Sequence, residues 1–242
     1  MLIDLISVST FRNNLPYPQP PKRQLRIFLI GGVFLESFLT VFGEETSEYI
    51  EKRSRFIATL RHCETEQEAN DFINEIRSKY WDAKHNVFAY SVEKGKLCRF
   101  SDDGEPHGTA GKPMLDVILG SNVKNIAVVV TRYFGGVLLG TGGLVRAYSK
   151  SVQDVLQKSQ VFIMLPCTAC EIECAYSDHA KLINLIESVD GNIDNTDFTE
   201  KVTVSFSLKS EFVEDFSKKL CETFSATLKL KEIGTKLTPF KK

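Results

Sequence analysis

The sequence predicts an α+β protein built in two parts, and three observations carry that prediction. Short runs such as RFIATL (Arg55–Leu60) and IAVVV (Ile126–Val130) have the length and β-branched content of strands. Between them lie longer segments with apolar residues three and four apart, the mark of amphipathic helices. From residue 161 onward the segments fall into a fixed order: strand, helix, strand, strand, helix, strand. That is the split β-α-β, ferredoxin-like arrangement.

In the first part, SFLTVF (Ser37–Phe42) and RFIATL read as strands. Glu64–Trp81 carries acids at its start and Ala69, Phe72, Ile73 and Ile76 at helical spacing, so it is an amphipathic helix. NVFAYSV and KLCRF are strands joined across EKG, a hairpin signal. A polar loop, SDDGEPHGTAGKP, precedes a short helix, MLDVIL. IAVVV is continuously apolar, as a strand covered on both faces should be. LVRAYSKSVQDVLQKS is the second long helix. In the second part, CTACEIECAY, GNIDNTDF, KVTVSFSL and ATLKLKEIG read as strands. SDHAKLINLIESVD, with Ser177 as its N-cap, and SEFVEDFSKKLCETF read as helices.

Residues 1–35 stand apart. NNLPYPQPPKRQ is rich in proline, and the apolar run after it is broken by Glu36 and lacks a cleavage signature. It is also too interrupted for a membrane span of about 20 residues. The expected organisation is an extension over 1–35, a domain over 36–160 and a ferredoxin-like domain over 161–237. The chain has 30 basic and 31 acidic side chains, which excludes wholesale electrostatic binding of nucleic acid and leaves room only for a local basic patch. Six cysteines without regular spacing read as reduced thiols of a cytoplasmic protein. Cys167, Cys170 and Cys174 lie on one strand, where alternation turns Cys167 away from the other two. With His179 beyond the strand's end, buried thiols are expected and no metal site.

Five of the 15 glycines fall between Gly135 and Gly143. A strand, a glycine-rich turn and a helix start present backbone N–H groups to an anion. Arg132, Arg146 (read as lying in the first helical turn) and Lys112 would surround it with charge. Gly135 and Gly140 have the spacing of a P-loop, but Thr141 stands where lysine is required. GTGGLV lacks the third glycine of a dinucleotide fingerprint. No nucleotide cofactor is expected. Tight turns and close helix–sheet contact explain the same glycines (Gly135, Gly136, Gly140, Gly143) equally well. Tyr133, Phe134 and Tyr148 are either core or stacking faces. In the acidic loop, Asp102, Asp103 and Glu105, with His85 and His107, have the chemistry of a general acid/base or hard-metal site, yet match no specific motif.

KRSRFIA, WDAKHNVFAY, RFSDDGEPHGTAGKPMLDVI and VVVTRYFGGVLLGTGGLVRAY together resemble the YigZ/IMPACT family, over roughly Lys52 to Gln157. The pattern includes His85, Asn86, Asp102, Asp103, Gly104, Glu105, Pro106, Gly108, Thr109, Gly111, Arg132, Tyr133, Phe134, Gly135, Gly136, Gly140, Gly143, Arg146 and Tyr148. His107 departs from it, since a small residue usually stands there. The resemblance implies an N-terminal domain similar to the second domain of a small-subunit ribosomal protein and to domain IV of elongation factor G. It implies a second domain similar to domain V of that factor, as in the bacterial branch. The function it implies is translation control through RNA, the ribosome or a protein partner, with no membrane partner. A peptidase label attached to some members makes a hydrolase using the acidic loop the alternative.

Overall fold

The computed structural model describes residues 27–30 and 33–241. Ile27–Ile30 (β1) and Val33–Glu36 (β2) form an antiparallel hairpin, so this portion of the expected extension is paired strand; the rest of it lies outside the described residues. Two five-stranded sheets follow, as the α+β reading requires.

The first sheet contains Glu44–Glu51 (β4), Ser54–His62 (β5), His85–Val92 (β6), Leu97–Ser101 (β7) and Ile126–Tyr133 (β8), in the order β4-β5-β8-β6-β7, antiparallel throughout. β8 sits at the centre, and its continuous apolar run is buried on both faces. Alternation sends Ala127 and Val129 toward α1 (Glu66–Lys79), where they meet Phe72, Ile73 and Ile76. Val128 and Val130 point the other way, toward α2 (Gly111–Ser121) and α3 (Gly140–Lys158), and pack with Met114, Ile118, Tyr148 and Val152. α1 starts where Thr65 accepts from the Glu68 N–H (3.2 Å), with Glu66 and Glu68 in its first turn and Arg77 and Lys79 in its last. β4 escapes the sequence reading because EETSEYIE is a charged edge strand, the means by which exposed edges avoid further pairing.

The second sheet is built on Val161–Cys174 (β9). With Asn192–Phe198 (β10), Val202–Lys209 (β11) and Lys231–Lys241 (β12) it has the order β10-β11-β9-β12. With Tyr176–Glu187 (α4) and Val213–Thr223 (α5) interleaved, this is the ferredoxin-like order. Cys170, Ile172, Val204 and Phe206 face the helices and meet Leu182, Ile186, Phe216 and Leu220. Three details differ from expectation. α4 begins two residues earlier, at Tyr176, with Ala175 in the N-cap position, and Ser177 does not cap it. Ser225 and Ala226 adopt positive φ in a turn, so the last strand starts only at Lys231. And Phe38–Val41 (β3), read as part of the first domain, pairs with Val161–Met164 of β9. β3 also reaches back: Leu39 accepts from the Lys124 N–H (2.8 Å), and Val41 is buried in the first core. It therefore fastens the two sheets together. Among the described residues no helix is long and apolar enough to cross a membrane.

Candidate functional site

The two glycine-rich loops lie at one end of the first sheet, and the structure treats them differently. In the acidic loop every carboxylate is already engaged. Asp102 Oδ1 accepts from the N–H groups of Ala110 (3.2 Å) and Gly111 (2.8 Å), and its Oδ2 from Gly108 (2.8 Å). It thus satisfies donors at the start of α2 that helix geometry leaves open. Asp103 Oδ2 accepts from the Asn86 N–H (2.7 Å) and its Oδ1 from Arg77 (3.0 Å). His85 Nδ1 donates to the Asp103 carbonyl (2.8 Å), which fixes the ring against the loop.

Glu105 goes deepest. Its Oε1 receives Arg132 Nη1 (2.6 Å) and the Tyr148 hydroxyl (2.8 Å), all three residues being buried. The Arg132 guanidinium lies near the rings of Phe56 (5.5 Å) and Phe134 (5.7 Å), while its Nε has no acceptor. Burial first, and then the Glu105 carboxylate, push the Tyr148 phenol far above the ordinary tyrosine range. This is an internal charge pair with a tyrosine donor, and it locks the loop to the sheet and to α3.

These contacts correct the expected anion site. Arg132 is buried and neutralised by Glu105. Tyr148 is buried and offers no face to a base. Tyr133 follows Arg132 on β8 and therefore points to the opposite side of the sheet, where its hydroxyl donates to Asp82 (2.7 Å). Lys112 is exposed and paired with Asp116 one helical turn on. Arg146 lies in the second turn of α3 rather than the first, because the helix already begins at Gly140. It is exposed and has no anionic partner among the described residues. His107 is fully exposed, 3.7 Å from Asp102. Cys167, Cys170 and Cys174 are buried free thiols, and burial raises the pKa of each.

The Gly135–Gly143 loop is open by contrast. Phe134, Val137 and Leu138 are exposed, Leu138 by 82%. No side chain caps the start of α3. Gly136 and Gly140 take φ of +81° and +72°, which a side chain would strain. Gly135 serves packing: a Cβ there would stand 2.0 Å from the Arg53 carbonyl carbon. The backbone it presses on is the two-residue turn Lys52–Arg53 between β4 and β5, both residues at positive φ, and the Gly135 N–H donates to Ser54 Oγ (3.2 Å). This basic turn is the part of the site that sequence reasoning missed. A two-residue hairpin usually announces itself with Asn-Gly or Asp-Gly, and Lys-Arg carries no such signal.

A β8 strand, two glycine-rich loops and a buried Glu–Arg–Tyr set on this sheet, joined to a ferredoxin-like domain, define a recognisable class. Residues 52–156 match the Impact N-terminal domain, and residues 172–227 match a domain of unknown function, DUF1949. The chain is 37% identical over 199 residues to IMPACT family member YigZ of Escherichia coli, covering 81% of this chain and 98% of that one. It is 38% identical over 199 residues to an IMPACT family member of Haemophilus influenzae, covering 80% and 94%. A crystal structure of a hypothetical protein, 37% identical, aligns with a TM-score of 0.53 over 82% of this chain and 98% of the other. The chain belongs to the IMPACT family.

Proposed function

We propose that this protein acts in translation, in the cytoplasm, by contacting RNA or the ribosome through the edge formed by the Gly135–Gly143 loop, the start of α3 and the Lys52–Arg53 turn. The observation that carries the reading is Arg146, exposed and without an anionic partner among the described residues, in the second turn of a helix whose start no side chain caps. Phe134, exposed at the start of the same loop, supplies a face on which a base can stack. The family resemblance, which implies translation control, points the same way. With net charge −1 the whole protein gives no long-range pull, so binding rests on a few local cations. Three contacts, from Lys52, Arg53 and Arg146, give a log–log salt slope of about −2 for single strands at roughly −0.7 per contact.

The acidic loop supports a hydrolase poorly, because Asp102, Asp103 and Glu105 spend their oxygens on the protein itself. A protein partner is the second reading, and Leu138 favours it: an aliphatic side chain 82% exposed on a loop has no role in phosphate contact. Co-sedimentation with ribosomes and binding of labelled single-stranded RNA test the main reading, for wild type and Arg146→Ala. Binding at low salt that weakens in the variant supports it. A partner retained at high salt and indifferent to nuclease, but lost in Leu138→Ser, supports the second reading instead.

A further inference from the structure

A cleft of about 290 Å³ runs between β4 and α3, at the low end of the range for small-ligand sites. Lys52 and Glu51 line one wall, Arg146, Lys150 and Gly143 the other, with Tyr49 beside Glu51. Lys52 and Arg146 have no acidic partner among the described residues, whereas Lys150 is held by Asp154 at 2.7 Å. The single carboxylate in the lining, Glu51, accepts the Tyr49 hydroxyl through Oε2 (2.8 Å). With Lys150 neutralised by Asp154, the walls present two cations without an internal partner among the described residues, Lys52 and Arg146, against the Glu51 carboxylate. Like charges on facing walls repel, and an anion between them removes that repulsion.

Two features bear on which anion. The cations approach from opposite sides, and a tetrahedral phosphate offers acceptors in several directions where a carboxylate offers one edge. Gly143 keeps the α3 wall low, since a Cβ there would meet Leu139 Cβ at 3.0 Å. Lys52 is also held in place by design of the backbone: it sits at φ +44° in the turn that Gly135 packs against. Strained residues persist only where the surroundings hold them, and here they hold a lysine at the cleft mouth. Glu51 opposes the bound charge and keeps affinity modest.

We propose that the β4–α3 cleft seats a phosphate group. On the RNA reading above, on which its source rests, this is a backbone phosphate; free phosphate or pyrophosphate is the other source. The test uses the full chain with two probes, pyrophosphate followed by amide NMR and a labelled single-stranded RNA followed by anisotropy. Variants are Lys52→Ala and Arg146→Ala, with Lys218→Ala, on α5, as a charge control. Pyrophosphate should shift the amides of Lys52, Gly143 and Arg146. Each cleft variant should weaken RNA binding about tenfold, the scale of one charged hydrogen bond, and flatten the salt slope by about 0.7; the control should do neither. RNA bound equally by wild type and both cleft variants, with no pyrophosphate shifts, overturns the cleft and leaves the RNA reading standing. Pyrophosphate bound there without RNA binding keeps the cleft and removes RNA as the source. Failure of both probes overturns both.

Discussion

The acidic loop and the Gly135–Gly143 loop are both rich in glycine and meet opposite fates. In the first, three carboxylates accept from seven internal donors between them, and Glu105 carries the pair with Arg132 into the core. In the second, Arg146 has no anionic partner among the described residues, no side chain caps the helix start, and Leu138 stands out in solvent. The lesson is that a cluster of chemically able side chains marks a working site only when its chemistry is left unspent. Here the acidic loop is a structural keystone, and its neighbour leaves its chemistry unspent.

The largest effect should come from splitting the keystone. Glu105→Ala leaves the Arg132 charge buried and alone, and should lower stability by about 3–5 kcal/mol in urea titrations. Replacing both partners, as Glu105→Leu with Arg132→Met, should recover most of that loss. A small effect of the single change would mean that water reaches the pair and that the loop is not locked.

The glycines separate next. Gly135→Ala forces its methyl into the Arg53 carbonyl and should cost about 1–3 kcal/mol, the range for overpacking. Gly142→Ala, inside α3 with open space around it, should stabilise by about 0.5–1 kcal/mol. Opposite signs from two glycines seven residues apart would confirm that one braces the turn and the other merely tolerates the helix. Equal signs would contradict that division.

A smaller effect concerns alkaline pH. Burial raises the Cys63 and Cys170 thiols from 9.0 to about 12, and burial with the Glu66 contact raises Tyr90 to about 12. Tyr148 is raised as well. The folded state therefore keeps protons that the unfolded chain releases, so stability is full below about pH 9 and falls as pH rises from there toward 12. Tyr148→Phe should fall less steeply above pH 10 than wild type, once its lost bond to Glu105 is referenced at pH 7. Tyr49, in the open cleft, is raised chiefly by its bond to Glu51 and lies near the surface, so Tyr49→Phe should change the slope less.

Much of the fold was legible because burial writes a period into the sequence. The continuous run of β8 and the spaced apolar residues of α1 carry their own evidence. β4 did not, since an edge strand buries too little to show one, and the pairing of β3 with β9 is a contact across more than 100 residues that no local pattern encodes. The site was legible by composition and not by direction. Arg132, Tyr133 and Tyr148 have the right chemistry for RNA, but alternation along β8 and the depth of α3 send them inward or to the far face. Arg146 lies exposed, one turn from where it was expected, and the Lys52–Arg53 turn was hidden because its residues are unusual at positive φ.

The contrast between the loops is tested most directly by hydrogen exchange with and without single-stranded RNA or ribosomes. The account predicts new protection in residues 49–53 and 136–150, and no change in residues 101–111, which are already protected by their internal bonds. Protection centred on 101–111, with 49–53 and 136–150 unaffected, would contradict it.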